Sequence, residues 1–155
     1  MCEYAVWNCY VLVIEIREPC NVEFSGRSAV IDPGVYLYIG SARGPGGALA
    51  RVIRHLTSEK RVWWHIDRLL ACPGSHVCGV VLINAGSCDC EAEISRLLRS
   101  QLSWVPGFGS SDKRHDISHL YKCNTNLVDC VEHTYELLER VACFEKAVYA
   151  TLRDL

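Results

Sequence analysis

The apolar positions of this chain follow two rhythms. Residues 5–16 (AVWNCYVLVIEI) form a near-continuous run of Val, Ile and aromatic side chains, the composition of a strand buried on both faces. Short alternating segments over 20–33 read as a hairpin, ending at the turn signal Asp32-Pro33-Gly34. Tyr36 to Ile39 and Val77 to Ile83 predict two further strands. The period then lengthens. Leu49, Val52, Ile53 and Leu56 recur at helical spacing, predicting an amphipathic helix over 47–58 opened by Gly44-Pro45-Gly46-Gly47. Trp64-His65-Ile66-Asp67 leads into a second short helix through Leu70. Asp89 can cap a third, whose apolar face is Cys90, Ile94, Leu97, Leu98 and Leu102. Pro106 to Asp112 is a tight loop. From Leu127 onward Val128, Val131, Tyr135, Leu138, Ala142, Val148 and Leu152 predict one or two long helices. That stripe is too long to leave in water and is expected to pack on its own chain rather than on a second copy.

Length and composition place these elements in one α/β (α+β) domain. The chain has 155 residues, half of them apolar, enough to bury a core. Neither a signal peptide nor a membrane span is visible, since the apolar run Tyr10 to Ile14 is too short. The expected location is cytoplasmic. Ten cysteines fit that setting as buried free thiols, or as disulfides in a hyperthermophile. There is no C-x-x-C, and spacing does not give connectivity. The net charge of −2 divides locally. Arg43, Arg51, Arg54, Lys60, Arg61 and Arg68 face only Glu59 and Asp67 within 43–68, whereas the tail beyond Asp129 is acidic. A basic face beside an acidic one suits phosphate contact better than the total does.

The richest chemistry lies between Gly34 and His55. An aromatic strand runs into Tyr38-Ile39-Gly40-Ser41, a glycine-rich turn follows, and the next helix carries Arg51 and His55 one turn apart. A glycine turn and a helix N-terminus offer N–H groups to an anion, and Arg meets phosphate bidentately. In the helix after Asp89, Glu91 falls about 50° from the centre of the apolar face and Glu93 about 110° away. Glu91 thus borders the buried side and Glu93 points to solvent. His65 and Asp67 read either as a site edge or as a structural pair holding the tryptophans. His115, His119 and Cys123 would suit zinc if helical, which their loop-like surroundings disfavour.

The ordered set YIGSARGPGG, ARVIRH, WHID, CEAEISRLL, GFGSSD and SHL resembles a small family of uncharacterised domains in the GIY-YIG nuclease superfamily. That family occurs in archaea and bacteria, alone or fused to endonuclease-III-type glycosylases. The resemblance covers roughly residues 8–121, leaving 122–155 as a C-terminal helical extension. It implies a small three-stranded, mostly antiparallel sheet flanked by helices, and phosphodiester hydrolysis with one divalent metal. Tyr38-Ile39-Gly40 matches the second motif. The first motif's tyrosine falls on Tyr10, with Asn8 where the motif has glycine; Gly34-Val35-Tyr36 also spells it, but on the second motif's own strand. Arg51 and His55 match the helix residues, and Glu91 matches the metal-binding glutamate, for Mg²⁺ or Mn²⁺. Where related domains carry cysteines after GFGSSD, this chain has Lys113 and His115.

The expected function is endonucleolytic cleavage of DNA, with RNA as an open alternative. It would be directed by structure or damage, as in DNA repair, because no sequence-reading module is present. Tyr10, Tyr38, Arg51 and His55 are the expected catalytic groups. Gly40, Ser41, Arg43, Arg54, Lys60, Arg61 and His65 are the expected nucleic-acid contacts. Two other classes stay open. Asn8 in place of glycine fits a binding module without catalysis, and the cysteines and histidines fit a redox- or metal-responsive structural protein.

Overall fold

A computed structural model describes residues 7–44, 46–57, 62, 64–110 and 116–152. The run of apolar residues after Asn8 becomes β1 (Cys9–Ile16), seven of whose eight residues are buried. It has to be central, because only a strand paired on both edges and covered on both faces tolerates such a sequence. β2 (Cys20–Phe24) and β3 (Arg27–Ile31) form a separate hairpin. β4 (Gly34–Ser41) and β5 (Ser75–Asn84) flank β1, both antiparallel to it. The helices are α1 (Gly47–Leu56), α2 (His65–Leu70), α3 (Cys90–Arg99) and α4 (Leu127–Glu139). Asp89 caps α3 by accepting the Ala92 N–H at 3.3 Å.

The expected three-stranded sheet is the middle of a larger one. β6 (Ser103–Trp104), β7 (Leu120–Lys122) and β8 (Lys146–Thr151) complete a six-stranded antiparallel sheet, in the order β6-β7-β4-β1-β5-β8. β6 and β7 are too short to show a period. β8 was hidden because Val148 and Leu152 also fit helical spacing. The tail is therefore one helix and one strand, not one or two helices. The turn between them contains neither Gly nor Pro; it is held by the Cys88–Cys143 disulfide and by Glu145 N–H donating to the Asn84 carbonyl at 2.8 Å.

Both sheet faces are covered. Tyr10, Leu12, Tyr36 and Tyr38 point to one side, under α1, α2 and the hairpin. Val11, Val13, Leu37 and Ile39 point to the other, under α3 and α4. Cys130, Thr134 and Leu138 turn α4 inward, which leaves its acidic residues outward on the side away from Tyr10. Among the described residues no helix is long and apolar enough to cross a membrane.

Eight cysteines are paired as Cys9–Cys90, Cys20–Cys72, Cys88–Cys143 and Cys123–Cys130, replacing the reading of buried free thiols. Cys78 is free, and Cys2 lies outside the described residues. The Cys123 bridge and the extended backbone of β7 also remove the zinc reading of His119 and Cys123; His115 is outside the described residues. In denaturant without reductant, a thiol reagent should titrate Cys78 and no more than two cysteines per chain in total, rising to ten after reduction. A count well above two in the oxidised protein would overturn the pairing.

Candidate active site

The site forms where β4 loses a neighbour. β7 pairs with β4 through Tyr36–Tyr38, and the Ile39 N–H reaches the His119 carbonyl at 2.9 Å. Beyond that point, Gly40 and Ser41 have no strand beside them on that edge among the described residues. A cleft of about 430 Å³ opens there. Tyr10, Tyr38, Gly40, Ser41, Arg51, Trp64, His65, Glu91, Gly109 and His119 line it with Ile39.

Tyr10 lies directly across from Gly40 in the β1–β4 ladder. A Cβ at Gly40 would fall on the Tyr10 ring and hydroxyl, so the glycine is a steric requirement for the tyrosine's position. The Tyr10 hydroxyl meets His55 Nε2 at 2.7 Å, and Asp67 Oδ1 lies 3.9 Å from His55 Nδ1. Burial pushes the Tyr10 hydroxyl pKa well up, with the Arg51 guanidinium beside it opposing and Glu91 adding to the rise. Burial likewise raises Tyr38, with Tyr10 and Glu91 adding to it. Both are neutral phenols at physiological pH, as an unperturbed tyrosine already is, and burial makes ionisation harder still. Tyr38 packs edge-on against His55 and Phe108, and its hydroxyl has no hydrogen-bond partner among the described residues.

Arg51 donates to the Ser41 carbonyl at 2.7 Å and stacks on Trp64, 5.0 Å from the ring centroid. One guanidinium edge is thus fixed while the rest serves the cleft. The Ser41 hydroxyl donates to Glu91 Oε1, and Glu91 Oε2 faces His119 Nδ1 at 3.1 Å. His119 is 1% exposed, and its other ring nitrogen meets Asp116 at 2.7 Å. Glu91 is held from both sides in the first turn of α3, where the helix dipole favours a carboxylate. Glu93 instead turns outward and pairs with Arg96. His65 accepts the Gly109 N–H on Nδ1 at 2.9 Å. A backbone amide can only donate, so Nδ1 is unprotonated and Nε2 carries the hydrogen toward Ser25 Oγ, 3.3 Å away.

Several expected contacts stand elsewhere. Arg43 donates to the Gly86 and Cys88 carbonyls. Arg54 grips buried Asp67 at 2.9 and 3.0 Å and stacks on Trp64 at 4.3 Å. Losing one partner of such a buried pair costs about 3–5 kcal/mol, so Arg54 braces α1 on α2. Lys60 and Arg61 lie outside the described residues. The N-terminus of α1 is not an anion cradle either: the Gly47 and Ala48 N–H groups are taken by the Gly44 and Trp7 carbonyls. Asn8 is not in the cleft. Its side-chain amide accepts the Ala85 N–H and donates to the Gly86 carbonyl, at 2.8 and 3.0 Å, clamping β1 to the loop that leads into α3.

The family described as Domain of unknown function DUF123 matches residues 9–140. The chain belongs to this family. No curated protein and no solved structure matches it. The DUF123 match spans every cleft-lining residue and continues through α4, past the boundary at 121 expected from the sequence. Trp64, Gly109 and His119 also line the cleft, beyond the site residues expected from the sequence. The WHID, GFGSSD and SHL segments were the signals that carried them.

Gly40→Ala should displace the Tyr10 ring and cost about 1–3 kcal/mol, as overpacking does. Gly44→Ala, with open space around its Cβ, should melt like the native protein. Equal melting temperatures for the two variants would remove the steric role given to Gly40.

Proposed function

We propose that this cleft hydrolyses phosphodiesters in DNA, acting as a GIY-YIG-type endonuclease. The observation that carries the reading is the convergence of a held arginine, a carboxylate and a tyrosine–histidine pair at one open strand edge. Arg51 sits where a phosphate entering the cleft would meet it, and fixed positive charge is worth most against charge that grows in the transition state. Because Tyr10 is a neutral phenol, it can take a proton from the attacking water only by passing its own to His55 Nε2. Tyr38 offers a neutral O–H to a phosphate oxygen or to that water. Asn8, where the motif has glycine, is turned to Ala85 and Gly86 and does not line the cleft.

The residues fit one divalent cation with most of its waters retained. Glu91 presents a single cleft-facing carboxylate, which suits Mg²⁺ or Mn²⁺. Among the described residues no group of three or more His, Cys, Asp or Glu converges to form a closed cage. When bound, such an ion supplies Lewis-acid polarisation of phosphate oxygens. His119 and Ser41 would keep the Glu91 oxygens aimed at it. A cytoplasmic location agrees with four disulfides only where the cytosol tolerates them, as in hyperthermophiles.

The test is a cleavage screen over single-stranded, flapped, branched and abasic DNA, with RNA in parallel, in Mg²⁺, Mn²⁺ and chelator. Metal-dependent cleavage is expected. Salt-dependent binding with no cleavage on any substrate would leave the binding module instead. On a cleaved substrate, Arg51→Ala should lower the rate by about 10²–10³-fold with melting little changed, since the side chain is only half-buried. Unaltered turnover would take Arg51 out of the site. Glu91→Gln should abolish activity at low metal concentration while Glu93→Gln does little. Equal losses, or the reverse order, would refute the choice of Glu91.

A further inference from the structure

The β2–β3 hairpin is packed beside the cleft, and its chemistry extends it. Its two-residue turn, Ser25-Gly26, joins Phe24 and Arg27, the last pair of the ladder. Ser25 has φ 49°, and among the described residues it is the only non-glycine residue with positive φ. Asn, Asp or Gly is the usual occupant of such a position, and a strained residue persists where its surroundings fix it. Here the Ser25 hydroxyl accepts from His65 Nε2, while Nδ1 of the same ring accepts from Gly109. His65 thereby ties the hairpin tip to the cleft wall.

Beyond His65 the hairpin and α2 enclose a polar cleft of about 450 Å³, lined by Ser25, Gly26, Arg27, Ser28 and Arg68 with Glu23 and Phe24. Both arginines are exposed and are braced on main-chain oxygens. Arg68 donates to the Glu23 carbonyl at 2.7 Å and Arg27 to the Pro106 carbonyl at 3.5 Å. Neither is in an ion pair among the described residues. Glu23 contributes the one carboxylate of this cleft, so two guanidiniums outweigh it. The Cys20–Cys72 disulfide anchors the base of β2 to the segment after α2, so the hairpin carries Arg27 in a fixed relation to Arg68.

We propose that Arg27 and Arg68 form a second phosphate subsite, which grips the sugar–phosphate backbone of the DNA strand that continues past His65 from the central cleft. The subsite rests on the reading of that cleft as a phosphodiester site. It makes the preferred substrate a polynucleotide rather than a small diester. Guanidiniums held on carbonyls keep their full charge and are already ordered, so they add affinity without reading bases.

The test is fluorescence anisotropy with a fluorescein-labelled DNA duplex and its single strand, titrated at several salt concentrations with the full-length chain. Each phosphate contact contributes about 0.7–0.9 to the slope of log K against log salt. The Arg27→Ala/Arg68→Ala variant should lose at least that much slope. Arg27→Lys/Arg68→Lys should retain most of it and serves as the check on folding. Arg140→Ala, at the end of α4 on the other side of the sheet, should match the native chain. Native binding that the double alanine variant reproduces would overturn the hairpin subsite alone. No binding by the native chain to either probe would overturn the reading of the central cleft, and the subsite with it. An equal loss of slope in Arg140→Ala would assign the effect to overall charge and also overturn the subsite.

Discussion

Tyr10 can lie over the β1–β4 ladder only because Gly40 opposite it has no side chain, and much of the site follows from that register. Side chains alternate along a strand, so a slip of one residue would send Tyr10 to the α3–α4 side and bring Val11 to the cleft. The same register places Ser41 at the end of β4, where its carbonyl takes Arg51 and its hydroxyl takes Glu91. It also sets Cys9 on the opposite face from Tyr10, where the disulfide to Cys90 fixes the start of α3. One strand pairing thus aligns groups from β1, β4, α1 and α3.

The surroundings of that alignment remove freedom rather than add chemistry. Asn8 and the Cys9–Cys90 bridge tie the first residues of β1 to the loop and helix that bear Glu91. Arg54 and Asp67 lock α1 to α2, so His55 and Trp64 keep their places. His119, itself fixed by Asp116, holds Glu91 from the far side. A site that must meet charge forming on a phosphate gains from such fixed partners, because none has to reorganise as the charge appears.

Polar and apolar demands are divided between the two sheet faces. The α3–α4 side is mostly aliphatic residues and cysteines around Tyr121, whose hydroxyl is paired with Ser95. The α1–α2 side carries tyrosines, histidines and Phe108, whose rings fill space while presenting polar tips to the cleft. Burial raises the Tyr10 and Tyr38 hydroxyls further above the ordinary phenol value, at which they are already neutral at physiological pH. This is why the proton path proposed above runs through His55 and not through a phenolate. The acidic outer face of α4 stays on the far side, away from Arg51, Arg27 and Arg68.

The sequence by itself determined the elements with strong periods: β1, the hairpin, β4, α1, β5 and α3, with the Asp89 cap. The order of its motifs, through the resemblance that they carry, also pointed to Tyr10, Tyr38, Arg51, His55 and Glu91, which the structure brings to one cleft or its edge. Tertiary structure decided what local spacing does not encode. β6 and β7 are too short for a pattern, and β8 becomes a strand only because β5 offers it an edge. Arg54 looks like a free cation in the sequence, yet buried Asp67 claims it, and Arg43 stands outside the cleft, donating to the loop before α3. Which cysteines pair depends on Cα distances between elements far apart in the chain. His119 enters the site for the same reason: a short strand carries it back beside β4, and only the closed sheet sets it against Glu91.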